Sequence, residues 1–496
     1  MECVVSKKNA IENPIQVDSY RELPPKMFME ADPDAALAPT LIELNSALLN
    51  EMGVSEQWFG SDQGLAAMSG QLEAGEHAPI AMAYSGHQFG HWSTLLGDGR
   101  AHLLGQIRTV GGALVDVQLK GSGRTPFSRG GDGRATLGSV LREYVVSEAM
   151  AGLGISTTRS IAVVATGEYV RREQAMPGAI LVRAAASHLR VGSFQYANSV
   201  LGTDGVRALA DFTLRNYFSE IDSGPLRYLD LFTAIARRQA LLIAQWMQVG
   251  FIHGVMNTDN VSIVGETIDY GPCAFMDEFQ SDKVFSSIDV NGRYAWDQQP
   301  GIGHWNLTQL AQTLLPLFHA VPETARAMAE ESLQIYATTF HHAFQGAMCQ
   351  KLGMEPDAAG APEFVASTLS NMEEQDIDFT LFFDNLTEVA AGSEDDRLLT
   401  LFSDSQSATD WLEKWRSLTP SGLNVAGSMR TFNPAVIARN HRVEEAILAA
   451  TNEGDFELFR RLCRVLAKPF ELSVEDSDLA VAPLRAERVT QTFCGT

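Results

Sequence analysis

The chain has 496 residues, of which 45% are hydrophobic and 20% charged, the balance of an ordinary globular protein with more than one packed unit. No apolar run approaches the ~18–20 residues that span a bilayer, and the first residues lack the features of a signal or transit peptide. These observations favour a cytoplasmic protein without a membrane partner. The net charge of −24 argues against nucleic acid as a partner, and the five cysteines include no CxxC pair.

The first predicted elements lie after a mixed N-terminal extension, residues 1–80. Gly111-Gly112 separates two runs of β-forming residues and predicts a hairpin. In the second run Val117 and Leu119 share one face, while Lys120 ends the strand on the other face. Five glycines predict a loop over residues 121–135, and a helix is predicted from Thr136 to Gly154.

The following elements become mostly helical. Short strands are predicted at Ile161–Ala165 and Ala179–Val182, and helices from about Val206. Residues 250–277 predict a polar loop, a short hydrophobic hairpin and an acidic turn. We therefore expect an α+β fold with an N-lobe over residues 81–200, a helical C-lobe over 201–350 and an acidic helical extension over 351–496.

Basic residues concentrate in the middle of this acidic chain. Between Arg100 and Ala240 there are 17 basic and 11 acidic residues, and Lys120 is the single lysine among the 17. Arginine suits multidentate phosphate recognition, and a lone lysine suits a point contact to one phosphate. The pattern favours a nucleotide site, although compositional drift could also produce it.

Parts of a phosphoryl-transfer site occur in the order found in protein kinases. A glycine-rich turn, Gly97-Asp98-Gly99-Arg100, precedes Lys120, and Glu143 follows on the next helix. The segment from His253 to Asn260 has the length of the kinase loop HRDxxxxN, and Asp269-Tyr270-Gly271 stands where DFG is expected. Each motif is weak alone, but their order and spacing predict a protein-kinase-like, two-lobed fold.

One position departs from the kinase pattern. Val255 replaces the aspartate that accepts the substrate proton, and Asp259 is the nearest substitute. The glycines of the 121–135 loop, together with Arg183 and Arg190, could bury the terminal phosphates, which would leave the α-phosphate as the electrophile. The residues leave three functions open: a nucleotidyltransferase, a conventional protein kinase on a variant loop, and a non-catalytic nucleotide-binding scaffold.

These residues resemble the selenoprotein O family, pseudokinases that act as protein adenylyltransferases. The resembling blocks include GHQFGHW (86–92), LGDGRAHLLG (96–105), VQLKGSGRTPFSRGGDGRA (117–135), residues 249–277 and NPAVIARNH (433–441). The resemblance implies ATP bound in a flipped orientation and AMP transfer to Ser, Thr or Tyr hydroxyls of protein substrates. It leaves UMP transfer from UTP open, with Mg²⁺ or Mn²⁺ as the metal.

The resemblance also implies roles for individual residues. Asp259 would be the catalytic base, Lys120 and Glu143 the orienting ion pair, and Asn260 and Asp269 the metal ligands. Nucleotide contacts would come from Asp269, Lys120 and the set Gly97, Gly99, Arg100, Asp132, Gly133, Arg183 and Arg190. Similarity to bacterial members suggests Cys273 and Cys494 as redox candidates joined by a disulfide, the alternative being two inert thiols. The protein substrates and the oligomeric state are not readable from the sequence.

Overall fold

The computed structural model describes residues 12–71, 78–419 and 423–493. It shows a mixed fold of antiparallel sheets and many helices. The strands are β1 (Phe28–Glu30), β2 (Thr40–Leu44), β3 (Ile80–Met82), β4 (Gly86–Gln88), β5 (His91–Ser93), β6 (Ala101–Arg108), β7 (Leu114–Lys120), β8 (Ala135–Thr136), β9 (Arg159–Arg171), β10 (Ala175–Ala185), β11 (Phe251–Ile252) and β12 (Ala274–Phe275).

Helices lie along the whole described chain and dominate its second half. They are α1 (Ser46–Met52), α2 (Glu56–Phe59), α3 (Asp62–Met68), α4 (Leu137–Gly152), α5 (Val191–Tyr217), α6 (Arg227–Gln248), α7 (Gln299–Phe318), α8 (Pro322–Lys351), α9 (Ala361–Glu374), α10 (Phe379–Ala390), α11 (Asp396–Leu399), α12 (Ser405–Leu418), α13 (Leu423–Arg430), α14 (Asn440–Glu453) and α15 (Glu457–Leu466). No helix in the part of the chain that the structure describes is long and apolar enough to cross a membrane.

The main sheet has the order β1-β3-β6-β7-β10-β9-β2, with β8 also paired to β10, and its neighbours are antiparallel. The predicted hairpin is confirmed, because β6 and β7 pair across the turn that contains Gly111-Gly112. Strands β1 and β2 also join this sheet, so the first 80 residues contribute to it. The domain boundaries given above remain a prediction.

The two faces of the sheet pack differently. Val117 and Leu119 of β7 join Val182 of β10 in a cluster covered by α1–α3. The opposite face contributes Leu181 to the large core shared with α4 and the later helices. Because side chains alternate along a strand, Gln118 and Lys120 lie on this second face, toward α4. The alternation of side chains predicted from the sequence therefore places Lys120 at the junction between the sheet and the helices.

Helix α4 begins where the sequence predicts. The hydroxyl of Thr136 accepts a hydrogen bond from the backbone N–H of Ser139, which caps the helix. Leu141 and Val145 are buried in the large core, and this burial fixes the side of the helix that carries Glu143. The helix thus holds Glu143 opposite the end of β7.

The predicted hydrophobic hairpin between Asn260 and Asp269 is wrong. Residues 261–268 form only isolated bridges, Ser262 with Arg190 and Thr267 with Thr157. The backbone of this segment pairs with distant parts of the chain instead of with itself, which a local pattern of apolar residues cannot reveal. The first bridge holds the segment against the start of α5, and the second holds it next to the start of β9.

Candidate active site

A cavity of about 1200 Å³ lies where the end of β7, helix α4 and the loop after β11 meet. Twelve of the sequence-predicted site residues line it. They are Gly97, Gly99, Arg100, Lys120, Asp132, Gly133, Glu143, Arg183, Arg190, Asp259, Asn260 and Asp269. A cavity of this size can hold a nucleotide, since small-molecule sites usually occupy about 300–1,000 Å³.

Two glycine-rich segments form one wall and are fastened to each other. The Thr125 hydroxyl donates to the backbone carbonyl of Asp98 at 2.6 Å. Gly97 has φ of 69°, and a Cβ there would lie 2.3 Å from the ring of Phe127. Gly133 also has a positive φ, and a Cβ on it would lie 2.0 Å from the carbonyl oxygen of Gly123. The tight turns and close backbone approach require glycine at both positions.

Lys120 connects α4 to the loop that carries Asp269. Its ammonium donates to Glu143 Oε2 at 2.6 Å and to Asp269 Oδ1 at 2.8 Å. The Lys120 side chain is 11% exposed and Glu143 is 6% exposed, so this is a buried ion pair rather than a surface one. The arrangement matches the lysine–glutamate pair that kinase-type sites use to orient phosphate contacts.

Arg183 reaches the same carboxylate from strand β10. Arg183 lies directly across from Gln118 in the antiparallel register and donates to its side-chain oxygen. It also donates to Asp269 Oδ1 at 2.7 Å and to Glu143 Oε1 at 3.2 Å. Because Gln118 and Lys120 are two residues apart on one strand, the register brings Arg183 and Lys120 together.

Arg190, the residue that immediately precedes α5, also contacts Asp269. Its guanidinium donates to Asp269 Oδ2 at 2.5 Å and to the backbone carbonyl of Asp259 at 2.6 Å. It also lies 4.8 Å from the ring centre of Tyr84, within cation–π distance. Arg190 therefore joins the loop of Asp259 to the loop of Asp269.

Three cations surround the carboxylate of Asp269. Burial acts to raise the pKa of Asp269, but Lys120, Arg190 and Arg183 together hold that pKa well below its usual value. Asp269 therefore stays ionised. Its backbone adopts φ of 62°, an uncommon conformation for a residue with a side chain. Such conformations concentrate at functional sites, where the surrounding contacts maintain them.

Asp259 and Asn260 lie together in a short 3-10 helix, Thr258–Asn260. The Asn260 amide nitrogen donates to the carbonyl of Val255 at 3.1 Å, which leaves its side-chain oxygen to face the cavity. Asp259 is 8% exposed, and Gln88 Nε2 lies 3.4 Å from its Oδ2. Burial raises the pKa of Asp259. Within the described residues its Oδ1 has no hydrogen-bond partner, as expected of a carboxylate left available for a ligand.

The kinase loop positions are filled in a different way. Val255, at the position that the sequence aligns with the kinase aspartate, is buried and has no carboxylate. His253 is fully buried, its Nε2 lies 2.9 Å from the carbonyl of Ile268, and burial lowers its pKa. His253 therefore supports the backbone next to Asp269 and does not face the cavity.

The donor set at Asn260 and Asp269 fits a hard divalent cation. The described residues contain no group of three or more His, Cys, Asp or Glu arranged to hold a metal by themselves. Mg²⁺ commonly takes one or two protein carboxylates and completes its shell with phosphate oxygens and water. A carboxylate and a carboxamide oxygen on the cavity wall are consistent with a metal that arrives with a nucleotide.

Two predicted residues have further partners. Asp132 pairs with Arg172 at 2.7 Å, and the hydrogen bond from Arg172 lowers the pKa of Asp132. This pair anchors the end of the glycine-rich loop. Cys273 is buried beyond Asp269 and does not line the cavity, and Cys494 lies outside the described residues. The Cys273–Cys494 disulfide therefore remains a prediction.

Sequence reasoning missed four polar residues that support the site. Gln118 holds Arg183, and Asp98 lies 3.8 Å from Arg190 while it accepts from Gln118 at 3.2 Å. Tyr84 lies under Arg190, and Gln88 lies beside Asp259. The sequence contained a signal for Gln118, because Gln118 and Lys120 are two residues apart on β7 and their side chains therefore lie on the same face of the strand. The contacts of the other three depend on how distant segments pack.

Comparisons with known proteins identify the family to which the chain is similar. The family described as "Protein adenylyltransferase SelO" matches residues 16–467. A "Protein nucleotidyltransferase YdiU" of Shewanella denitrificans is 50% identical, and the alignment covers 99% of each chain. Proteins of the same name from Rhizobium rhizogenes and Geobacillus kaustophilus are 49% and 48% identical, with 97% of this chain covered in each case.

Proposed function

Because this chain belongs to the SelO family of protein adenylyltransferases and is a nucleotidyltransferase, we propose that it transfers AMP from ATP to hydroxyl groups of other proteins. The observation that carries this proposal is the convergence of Lys120, Arg183 and Arg190 on Asp269, next to Asp259 in one cavity. Three buried cations can bind the terminal phosphates of a polyphosphate, which leaves its α-phosphate accessible to attack by the acceptor hydroxyl.

The reaction assigns one task to each part of the cavity. The acceptor hydroxyl oxygen forms a bond to the α-phosphorus, and the bond from that phosphorus to the bridging oxygen of pyrophosphate breaks. Asp259 accepts the hydroxyl proton. Lys120, oriented by Glu143, and the two arginines stabilise the negative charge on the phosphates and on the leaving pyrophosphate.

Asn260 and Asp269 would hold Mg²⁺ or Mn²⁺. The metal would neutralise phosphate charge as a Lewis acid when the nucleotide is bound. The two glycine-rich segments, including Gly97, Gly99 and Gly133, would lie against the nucleotide with Arg100 and Asp132 at their ends. We also propose that the main sheet with α4 and the helices from α5 onward form the two lobes of a kinase-like fold.

Position-specific labelling separates the three functions that the sequence left open. The purified protein is incubated with metal and a protein acceptor, with ATP labelled at either the α- or the γ-phosphorus. We expect label in protein from the α position only, and loss of that label in Asp269→Ala. A parallel reaction with α-labelled UTP measures the preference for AMP over UMP.

The other outcomes are equally informative. Label from the γ position only would identify a protein kinase and would contradict the role given to the arginines. Absence of label from any position, with ATP binding intact by calorimetry, would favour the non-catalytic scaffold. Label that persists unchanged in Asp269→Ala would overturn the assignment of this cavity.

A further inference from the structure

A second, smaller pocket lies behind the hairpin formed by β4 and β5. Its volume is about 230 Å³. Small-molecule sites usually occupy about 300–1,000 Å³, so this pocket suits a single side chain of a bound peptide better than a cofactor. The hairpin, the start of α5 and the middle of α7 form its walls. The lining residues are His87, Trp92, Gln195, Asn198, Ser199, Gln309, Gln312 and Thr313.

The pocket shares the hairpin with the candidate active site. The backbone N–H of His87 donates to the hydroxyl of Thr258 at 2.7 Å, and the backbone N–H of Phe89 donates to Asn257 Oδ1 at 2.9 Å. Between them Gln88 faces Asp259, while His87 lines the second pocket. Because successive side chains of a strand point to opposite faces, the hairpin is a wall between the two sites.

The chemistry of the pocket is neutral and rich in carboxamides. Three glutamines and one asparagine line it, and its lining residues in the described part of the chain include no Asp, Glu, Lys or Arg. The amide of Gln195 lies 3.0 Å from His87 Nδ1, and burial lowers the pKa of His87, so the ring is neutral at neutral pH. A carboxamide offers both a donor and an acceptor, the complement of a peptide bond.

One buried atom in this pocket lacks a partner. Gln195 is only 5% exposed, and within the described residues its Oε1 accepts no hydrogen bond. Buried carbonyl groups are nearly always satisfied, so this oxygen is an acceptor that a bound donor would satisfy once the amide turns toward the pocket. Trp92, another lining residue, is 44% exposed, and its ring centre lies 4.9 Å from that of His87 in a tilted arrangement. Exposed aromatic residues of this kind are enriched in protein interfaces.

We propose that this pocket is a docking subsite for the acceptor protein and takes an uncharged residue near the modified hydroxyl. The acceptor segment would lie in extended form along the hairpin, with its backbone N–H bonded to Gln195 Oε1 and its hydroxyl directed past Gln88 to Asp259. This inference rests on the proposed function, because it presupposes that Asp259 meets a protein hydroxyl.

The test blocks the pocket separately from two of its walls. Ser199→Trp fills it from α5, and Gln312→Trp fills it from α7. Val200→Trp is the matched control, since Val200 is an exposed neighbour on α5 that does not line the pocket. The probes are short fluorescent peptides with one central tyrosine and with either neutral or acidic flanking residues. Anisotropy measures their binding, and α-labelled ATP measures transfer.

Both filling variants should raise the Kd of neutral peptides, and KM in the transfer reaction, by about tenfold, the loss of one well-packed contact. The Kd for ATP, kcat and the Val200→Trp control should stay unchanged, and acidic flanks should weaken binding to the unaltered protein. Unchanged peptide affinity in both variants, or no peptide binding at all, would overturn the subsite. Peptide binding that depends on the pocket without any transfer would reject the proposed reaction and retain the subsite.

Discussion

Asp269 is the residue at which three separate parts of the chain meet. Lys120 comes from β7, Arg183 from β10 and Arg190 from the start of α5. A carboxylate that binds three cations is strongly anchored. In the proposed reaction Asp269 would bind the metal, and phosphates would take over part of its contacts with the three cations. The buried ion pairs are therefore best understood as a site prepared for a polyanion rather than as a source of stability, which buried pairs seldom provide.

Asp259→Asn tests the role of the base. The substitution keeps the size of the side chain but removes its ability to accept the proton, and loss of a general base typically lowers the rate by about 10²–10⁴-fold. We expect single-turnover transfer from α-labelled ATP to fall in this range while the Kd for ATP stays within about threefold, a change below ~1 kcal/mol.

The matched control is Asp282→Asn, at an exposed aspartate, which should leave both quantities unchanged. A rate in Asp259→Asn equal to that of the unaltered protein would remove Asp259 from the reaction.

The secondary structure elements differ in how far the sequence determines them. The β6–β7 hairpin and α4 follow from local signals, namely a Gly-Gly turn, alternation and a threonine cap. Helix α5 begins at Val191 and is interrupted at Gly202, whose φ of 65° and ψ of −159° are not helical. The predicted start at about Val206 lies in the second segment, and the sequence reasoning missed the first segment, from Val191 to Gly202. The failed hairpin at 261–268 depends on bridges to Thr157 and Arg190, and the meeting of Lys120 with Arg183 depends on the register of β7 and β10. The type of site was readable, whereas its supporting contacts required tertiary structure.

Helix α8 ends on a buried lysine whose charge has no acidic partner among the described residues. Lys351 Nζ donates to the carbonyl of Phe432 at 3.3 Å and lies 4.2 Å from the ring centre of Phe383 on α10. Burial lowers the pKa of Lys351 to about 7. In the unfolded chain the lysine pKa is about 10.4. Between pH 7 and about 10.4 the unfolded chain therefore binds more protons than the folded protein, so the free energy of unfolding rises with pH by up to ~1.4 kcal/mol per pH unit.

Lys351→Met removes this dependence. The variant should exceed the unaltered protein in free energy of unfolding most clearly near pH 7, and the difference should shrink as the pH rises toward about 10, where the unfolded lysine also loses its proton. Urea unfolding at several pH values measures both curves. Lys468→Met, at an exposed lysine, is the control and should follow the unaltered protein. Parallel curves for Lys351→Met would mean that Lys351 keeps its proton in both states.

The C-terminal helices are tied to the candidate site through two buried arginines. Arg142, next to Glu143 on α4, donates to the carbonyl of Cys273 at 2.6 Å and to Asn440 Oδ1 at 3.0 Å. Arg439 donates to Asp277 Oδ1 at 2.6 Å and to Asp378 Oδ2 at 2.7 Å. Both contacts reach the segment that follows Asp269. The NPAVIARNH block therefore supports the site without lining its cavity.

Arg439→Met tests this long-range connection. It leaves Asp277 and Asp378 buried without their cation, and breaking a buried ion pair in this way costs about 3–5 kcal/mol of unfolding free energy. Arg416→Met is the control, because Arg416 pairs with Asp395 at the surface, where such a pair contributes about 0–1 kcal/mol. Denaturant unfolding measures both losses. If Arg439 also holds the segment after Asp269, single-turnover transfer should fall in Arg439→Met even under conditions where the variant remains folded. A loss of stability with an unchanged transfer rate would show that Arg439 contributes to folding only.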